Sequence, residues 1–292
     1  MKLSKDFIRS LILDLKVSTS TAKKELLINF RYSLWVIFWA VMPVFWLTPM
    51  IFQGEALIGG RSSSSFATLA GNADFITFNI IGSSLYAYVM SALWGMGLSL
   101  RREQWSGTLE TVMVSPCNKF FILLGKAISD SVLTTFYAIV QFILASLLFG
   151  ARIKLENLTY AILVLLLMVF ALYGVGFLLS GIILMYKEPG ALLNFVNTFI
   201  SIICPVNYPL KALVFVFESL GYYLLLIGLL FPLTPALEAI RTFLLPSFDP
   251  LISTTLALFY LIVVSIILLI AGTFLFNYVE KRVRRSGVLG TY

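Results

Sequence analysis

The chain has 292 residues, of which 60% are hydrophobic and only 12% are charged, and its formal net charge is +7. Soluble domains carry about 25% charged residues and disordered chains need low hydrophobicity, so this composition excludes both classes. The sequence has no histidine, which also excludes an imidazole base and a histidine-ligated metal. An integral membrane protein remains.

Residues 1–31 form a basic arm with an apolar stripe. The stripe recurs every four residues and consists of Leu3, Phe7, Leu11 and Leu15. Basic side chains lie off this stripe, so the arm is predicted to be an amphipathic helix in the headgroup region, with a second short helix at about 21–31. It serves as an anchor and topology signal or, alternatively, docks a partner.

Seven uncharged stretches approach or exceed the about 20 residues that a helix needs to cross a bilayer. They are 32–54, 75–100, 131–151, 157–186, 189–210, 219–237 and 250–279. Both chain ends are basic, and the positive-inside rule then places both in the cytoplasm and requires an even number of crossings. This orientation accounts for the net charge without nucleic acid.

One stretch must therefore fail to cross, and Pro232 and Pro235 interrupt the stretch 219–237. The sequence predicts an all-α polytopic membrane protein with six transmembrane helices in a single domain, 32–279. An outer re-entrant helical segment at about 211–245 separates spans five and six. Residues 280–292 form a cytoplasmic tail.

Span one carries a dense aromatic stripe. Its candidate pathway-lining residues are Trp35, Trp39, Met42 and Trp46. Aromatic rings offer stacking surfaces to an amphipathic substrate. The alternative is that they pack between helices or contact lipid at the interface.

The inner loop between spans two and three predicts a short helix at about 107–116. Gly107 permits a turn, Ser106 or Thr108 can cap the helix and Pro116 ends it. Leu109, Val112 and Met113 share one face, with Glu110 off it. This face suits docking into a groove on another protein, or packing on the chain's own bundle. Composition does not decide between them.

Two charged pairs lie close to predicted spans. Lys126 and Asp130 have i, i+4 spacing, and Glu238 and Arg241 have i, i+3 spacing. Such spacings are typical of local helix ion pairs. The alternative is a gate, at the inner mouth for the first pair and at the exit for the second.

Two motifs resemble a known family. The first is Glu103-x-x-x-Gly107-Thr108-Leu109-Glu110 followed by Ser115-Pro116; the second is Pro205-Val-Asn-Tyr-Pro209, then Pro232 and Glu238-x-x-Arg241. Together they are similar to the signature of ATP-binding-cassette (ABC) transporter permeases of the type-2 exporter class. The resemblance covers essentially the whole chain, including the amphipathic arm.

The resemblance implies a permease subunit without enzymatic activity, whose loop helix at about 107–116 is a coupling helix on an ATPase subunit. The residues implied in this coupling are Glu103, Gly107, Thr108, Leu109, Glu110, Val112, Met113 and Pro116. It also implies short re-entrant outer helices between spans five and six, where the even number of crossings requires a segment that does not cross.

The sequence has no P-loop, since its nearest match, Gly125-Lys126, has Phe120 at the first glycine position and Ala127 after the lysine. We therefore expect no cofactor in this chain, and ATP and magnesium on a partner. The expected partners are two cytoplasmic ABC ATPase subunits, a second permease copy or a related permease, and membrane lipid. The expected location is the plasma or inner membrane.

The expected cargo is hydrophobic or amphipathic: a drug, a lipid or a lipid-linked glycan. Two other classes stay open. A secondary carrier or channel would act without an ATPase, but such carriers usually place ionisable residues within their spans. A membrane-embedded lipid-modifying enzyme would need converging acidic groups, and the spacing of the outer acidic residues shows no such pairing.

Overall fold

The computed structural model describes residues 2–58, 64–71, 73–183 and 188–286. These ranges are built from helices, with no strand and one isolated β-bridge, between Gly71 and Phe248. The predicted all-α class is confirmed. The last residues of the predicted tail, 287–292, lie outside the described ranges.

The helices follow one another with short connections. In chain order they are α1 (Lys2–Arg31), α2 (Ser33–Ile58), α3 (Ser64–Ala70), α4 (Phe75–Met90), the π-helical segment π1 (Ser91–Met96), α5 (Ser99–Trp105), α6 (Leu109–Val114), α7 (Lys119–Phe149), α8 (Leu158–Ile183), α9 (Pro189–Ile203), α10 (Leu210–Leu229), α11 (Leu233–Leu244) and α12 (Thr254–Ser286).

Six helical stretches in the described ranges are long and apolar enough to cross a membrane. They are Ser33–Ala56, Phe75–Trp105, Lys119–Phe149, Leu158–Ile183, Leu210–Leu229 and Thr254–Arg282. The predicted number of six is confirmed, but one member differs. Span five was expected at 189–210, and the helix α9 ends at Ile203 after only 15 residues.

Prolines explain the early end of α9. Pro205 and Pro209 flank the break, and each lacks the N–H that would continue the helix. The following helix α10 is itself kinked, since Glu218 has a non-helical backbone with φ 45° and ψ −118°. The range Leu210–Leu229 reaches the length of a candidate span only across this kink, since its two pieces, 210–217 and 219–229, are each shorter than the about 20 residues of a crossing helix. The re-entrant segment stays a prediction.

The connections gather at two ends of the bundle. At one end, the amide of Asp249 bonds to the carbonyl of Ala70 at 3.1 Å, and that of Lys154 to the carbonyl of Leu244 at 2.8 Å. At the other, α1 packs on the beginning of α7, where Ser18 is buried against Gly125. We name the first the outer end and the second the inner end, after the predicted orientation.

Two predicted boundaries at the inner end were wrong. The arm forms one continuous helix, α1, instead of two, because 16–24 contains no glycine or proline and buries Ser18 and Ala22. The helix α7 begins at Lys119, not at 131, because Lys126 pairs with Glu103 and Asp130 lines a polar cavity.

The helices α8 and α12 touch backbone to backbone. A Cβ atom added to Gly174 would lie 2.4 Å from the carbonyl carbon of Leu268, and one added to Gly272 would lie 2.4 Å from the carbonyl oxygen of Gly174. Small residues permit such close approach between apolar helices, where packing rather than hydrophobicity drives association. Glycine is therefore required at both positions.

Candidate functional site

The helix α5, which ends the second candidate span, and the short helix α6 that follows it form a helical hairpin. Gly107 joins them in the left-handed conformation with φ +69°, which favours glycine over other residues. Thr108 precedes α6 but makes no side-chain cap. Its hydroxyl instead donates to the carboxylate and the backbone carbonyl of Glu103, and thereby closes the hairpin.

The apolar face of α6 packs on the chain's own bundle. Leu109 and Met113 are only 3% and 5% exposed, and Val112 is half-buried. The sequence left docking and self-packing open, and the structure places the side chains of Leu109 and Met113 in the second arrangement. The exposed side of the hairpin presents Glu110 and Val114, of which Val114 is 86% exposed.

The buried face of α6 lies where several helices end together. Its cluster contains side chains from π1, α5, α7, α8 and α12: Met96, Leu100, Leu123, Ala127, Phe177 and Phe276. A displacement of α6 would therefore act on the inner ends of four candidate spans at once, because close-packed side chains transmit strain.

A lysine that the sequence analysis missed fixes the end of the hairpin. Lys119 is 1% exposed, and its Nζ donates to the carbonyl oxygens of Ser115 at 2.5 Å and Cys117 at 2.8 Å. Basic side chains near a helix C-terminus satisfy its free carbonyl groups. The available signal was a lysine just beyond Pro116, which follows the last turn of α6.

A network of four charges joins α1, α5 and α7. Lys126 lies 2.6 Å from Glu103 and 3.7 Å from Glu25, and Lys24 lies 3.3 Å from Glu25 and 3.9 Å from Glu103. Lys126 and Glu103 are largely shielded, with side chains 9% and 12% exposed. Among the ion pairs of the described ranges, Lys126 thus pairs across helices, whereas the spacing had suggested Asp130.

Glu238 and Arg241 are buried in α11 near the outer end. Arg241 donates to the carbonyl oxygens of Pro205 and Val206, each at 2.5 Å, and its guanidinium lies 3.4 Å from the ring centroid of Phe78. Arg241 thus ties α11 to the break after α9 and to α4.

Glu238 has a different partner. Its Oε2 accepts a hydrogen bond from the amide of Leu251 at 3.0 Å, and no salt bridge to Arg241 occurs within the described ranges. Burial raises the pKa of Glu238 to about 7, against the opposing effects of Arg241 and of the nearby backbone amides. The two residues orient the segment through backbone contacts.

The aromatic face of α2 points away from the bundle. Trp35, Trp39 and Trp46 are 57%, 40% and 71% exposed, whereas Ala40 and Val44 on the opposite face are buried. Met42 is half-buried between the two faces. The candidate lining residues therefore face lipid or another subunit, and pathway lining stays a prediction.

Comparison with known proteins gives one family. A family model described as ABC-2 type transporter matches residues 32–245. The matched range runs from the beginning of α2 to the end of α11, and it contains both the α5–α6 hairpin and the pair of Glu238 and Arg241. No curated protein matches the chain.

Proposed function

Because the chain belongs to the ABC-2 type transporter family and is thus the transmembrane permease of an ABC transporter, we propose that it exports cargo with energy from separate cytoplasmic ATPase subunits. The permeases of this family are typically non-catalytic. In this proposal ATP and magnesium bind to the partner, since the sequence around Gly125-Lys126 lacks the first glycine and the hydroxyl of a P-loop.

The two-sided burial of α6 carries the proposal. One face is packed against the inner ends of four candidate spans, and the other leaves Glu110 and Val114 free. A helix with one face fixed on the bundle and one face open can receive a push from a docked protein and pass it to the spans. The exposed face of the hairpin is the proposed ATPase contact.

The complex that we propose contains two permease subunits and two ATPase subunits. The second permease, a copy or a relative, would cover the outward-facing aromatic face of α2, with the pathway between the subunits. The chain would lie in the plasma or inner membrane with both termini in the cytoplasm, as its basic ends favour. Its cargo would be hydrophobic or amphipathic, in keeping with an aromatic wall that offers few hydrogen bonds.

The substitution Val114→Asp tests the docking face. We expect it to abolish or strongly reduce co-purification of the ATPase and ATP-dependent transport in proteoliposomes, because a charge in the apolar centre of an interface is left without a partner. The matched control is Leu155→Asp, which changes another largely exposed apolar residue, 69% exposed, in the outer connection.

The control variant Leu155→Asp should retain both ATPase co-purification and ATP-dependent transport. The docking role of α6 is wrong if Val114→Asp retains normal association and transport. Transport that proceeds without any ATPase subunit or ATP would instead favour a secondary carrier or channel.

A further inference from the structure

A partly open cavity of about 290 Å³ lies at the inner end between α1, α5 and α7. Its charged lining consists of three basic and three acidic side chains: Lys24, Arg102, Lys126, Glu25, Glu103 and Asp130. The cavity also reaches Gly95 of π1. It is therefore a polar space at the point where α1, the α5–α6 hairpin and α7 meet.

Most of these charges neutralise one another. Lys126 lies 2.6 Å from Glu103, and Lys24 lies 3.3 Å from Glu25. Among the residues that the structure describes, neither Arg102 nor Asp130 has an oppositely charged group within 4.0 Å. The cavity thus keeps one positive and one negative group that no ion pair of the described chain engages.

Both groups are held in place. One amino group of Arg102 donates to the carbonyl of Trp94 in π1 at 2.5 Å. The carboxylate of Asp130 rests directly on π1, since a Cβ atom at Gly95 would lie 2.6 Å from its Oδ2. A charged side chain on a spanning helix is costly unless it faces a polar cavity or a partner, so Asp130 depends on this cavity, and a cation bound there would gain from its charge.

Asp130 also lines a second, smaller cavity. This cavity has a volume of about 20 Å³, enough for one water molecule, and its lining includes hydroxyl-bearing residues beside apolar ones. The hydroxyl-bearing residues are Tyr88, Ser91, Ser131 and Tyr173. Asp130 thus lines both cavities, and a group bound in the large cavity would find it there.

We propose that the large cavity binds a zwitterionic head group, with its ammonium on Asp130 and its phosphate on Arg102. A guanidinium matches a phosphate in geometry, and a carboxylate matches an ammonium in charge. The adjacent basic amphipathic helix α1 is of the kind that lies at headgroup depth. As a cargo site it rests on the proposed export function, whereas binding itself needs only the permease.

The test uses the full chain purified in detergent without an ATPase, and native mass spectrometry as the readout. The probes are short-chain phosphatidylethanolamine, phosphatidylglycerol of the same chain length, and the corresponding alkylammonium. We expect the zwitterionic lipid to bind most tightly. Asp130→Asn should weaken its binding by about tenfold and leave phosphatidylglycerol unchanged, whereas Arg102→Gln should weaken both lipids.

Two control substitutions test whether the effects belong to this cavity. Asp249→Asn and Arg152→Gln make the same chemical changes at the outer end and should change nothing. Competition by soluble phosphoethanolamine would support recognition of the head group.

Equal binding of the three probes, or an Asp130→Asn variant that binds phosphatidylethanolamine normally, would overturn the proposal. So would a uniform loss for all probes with a lowered melting temperature, because it would indicate a purely structural role. A permease that binds the lipid as expected but never associates with an ATPase would retain this site and lose the proposed function.

Discussion

Glu238 and Arg241 lie one turn apart on α11, and their side chains differ in how many hydrogen-bond partners they have. The guanidinium has three carbonyl oxygens and an aromatic ring around it, whereas the carboxylate has a backbone amide on one oxygen and no partner on the other, Oε1, in the structure. A buried carboxylate with incomplete hydrogen bonding favours its neutral form. The charge state of Glu238 therefore bears on the stability of the outer segment.

Glu238→Gln should flatten the pH dependence of thermal stability. The pKa of Glu238 rises from 4.5 to about 7 on folding. The protonated carboxyl group therefore stabilises the folded state, and this stabilisation is fully present below pH 4.5 and lost as the pH rises through 7. The loss in the free energy of unfolding is on the order of 1–3 kcal/mol by pH 8. Melting temperatures of the detergent-solubilised protein at pH 5 and pH 8 measure this.

We expect the melting temperature of the wild type to fall by a few degrees from pH 5 to pH 8, and that of Glu238→Gln to fall by less. Glu218→Gln, which changes an exposed carboxylate in the kink of α10, should behave like the wild type. An unchanged pH dependence in Glu238→Gln would show that this carboxyl group does not titrate in the range.

At the scale of the element, α6 has two faces with different consequences. Leu109 and Met113 hold it to the bundle, and Val114 lies outside. A six-residue helix has little intrinsic stability, because nucleation is unfavourable and few hydrogen bonds repay it. Its position therefore depends on the buried side chains and on the carbonyl contacts of Lys119.

Leu109→Ala and Val114→Ala should separate the two faces. The first removes a 3%-exposed side chain from a packed cluster and should cost about 2–5 kcal/mol. The second changes an 86%-exposed side chain and should stay within about 0.5 kcal/mol. Denaturant or thermal unfolding of the permease alone measures both. Equal effects would contradict the assignment of the faces.

The sequence predicted the position of the short helix α6 but not which way its apolar face points. Apolar residues spaced i, i+3, i+4 mark one face of a helix, and the same pattern serves a partner protein or the chain's own core. The partner of Lys126 was missed for a related reason. Asp130 is visible by its spacing along one helix, whereas Glu103 comes from another helix and only the fold brings it within 2.6 Å.

Spans were predictable where hydrophobicity alone decides. Stretches of more than 20 uncharged residues lie within the candidate spans Ser33–Ala56, Phe75–Trp105, Leu158–Ile183 and Thr254–Arg282 over most of their length, although the second is divided into α4, π1 and α5. The region from Pro189 to Leu244 was harder, because its prolines and the kink at Glu218 depend on contacts with other helices. The break that follows α9 is held by a hydrogen bond from Arg241, 35 residues further on, to the carbonyl of Val206.

At the scale of the whole molecule, a broad aromatic surface on α2 stays outside the bundle. Trp35 and Trp39 lie 5.8 Å apart between ring centroids, edge to face, and both are exposed. Exposed aromatic rings at this density suit either an interface with another subunit or a lipid boundary.

Replacing Trp35 and Trp39 together by alanine should lower the dimer fraction of the purified permease. The loss of interface area on both copies would weaken association by on the order of tenfold or more, as light scattering coupled to size exclusion can measure. The control is Phe259→Ala, which removes a 61%-exposed ring from α12. An unchanged dimer fraction would assign this surface to lipid.

The glycine contact between α8 and α12 has a mechanical consequence. Two rods that touch along their main chains leave no compliant side-chain layer between them, so they translate and tilt as a unit. The second candidate span bends more easily, because π1 interrupts its regular α-helical hydrogen bonds. There the amide of Gly97 donates to the carbonyl of Ala92, five residues back. A force on the α5–α6 hairpin would therefore bend the second candidate span at π1, whereas α8 and α12 would move together without bending relative to each other.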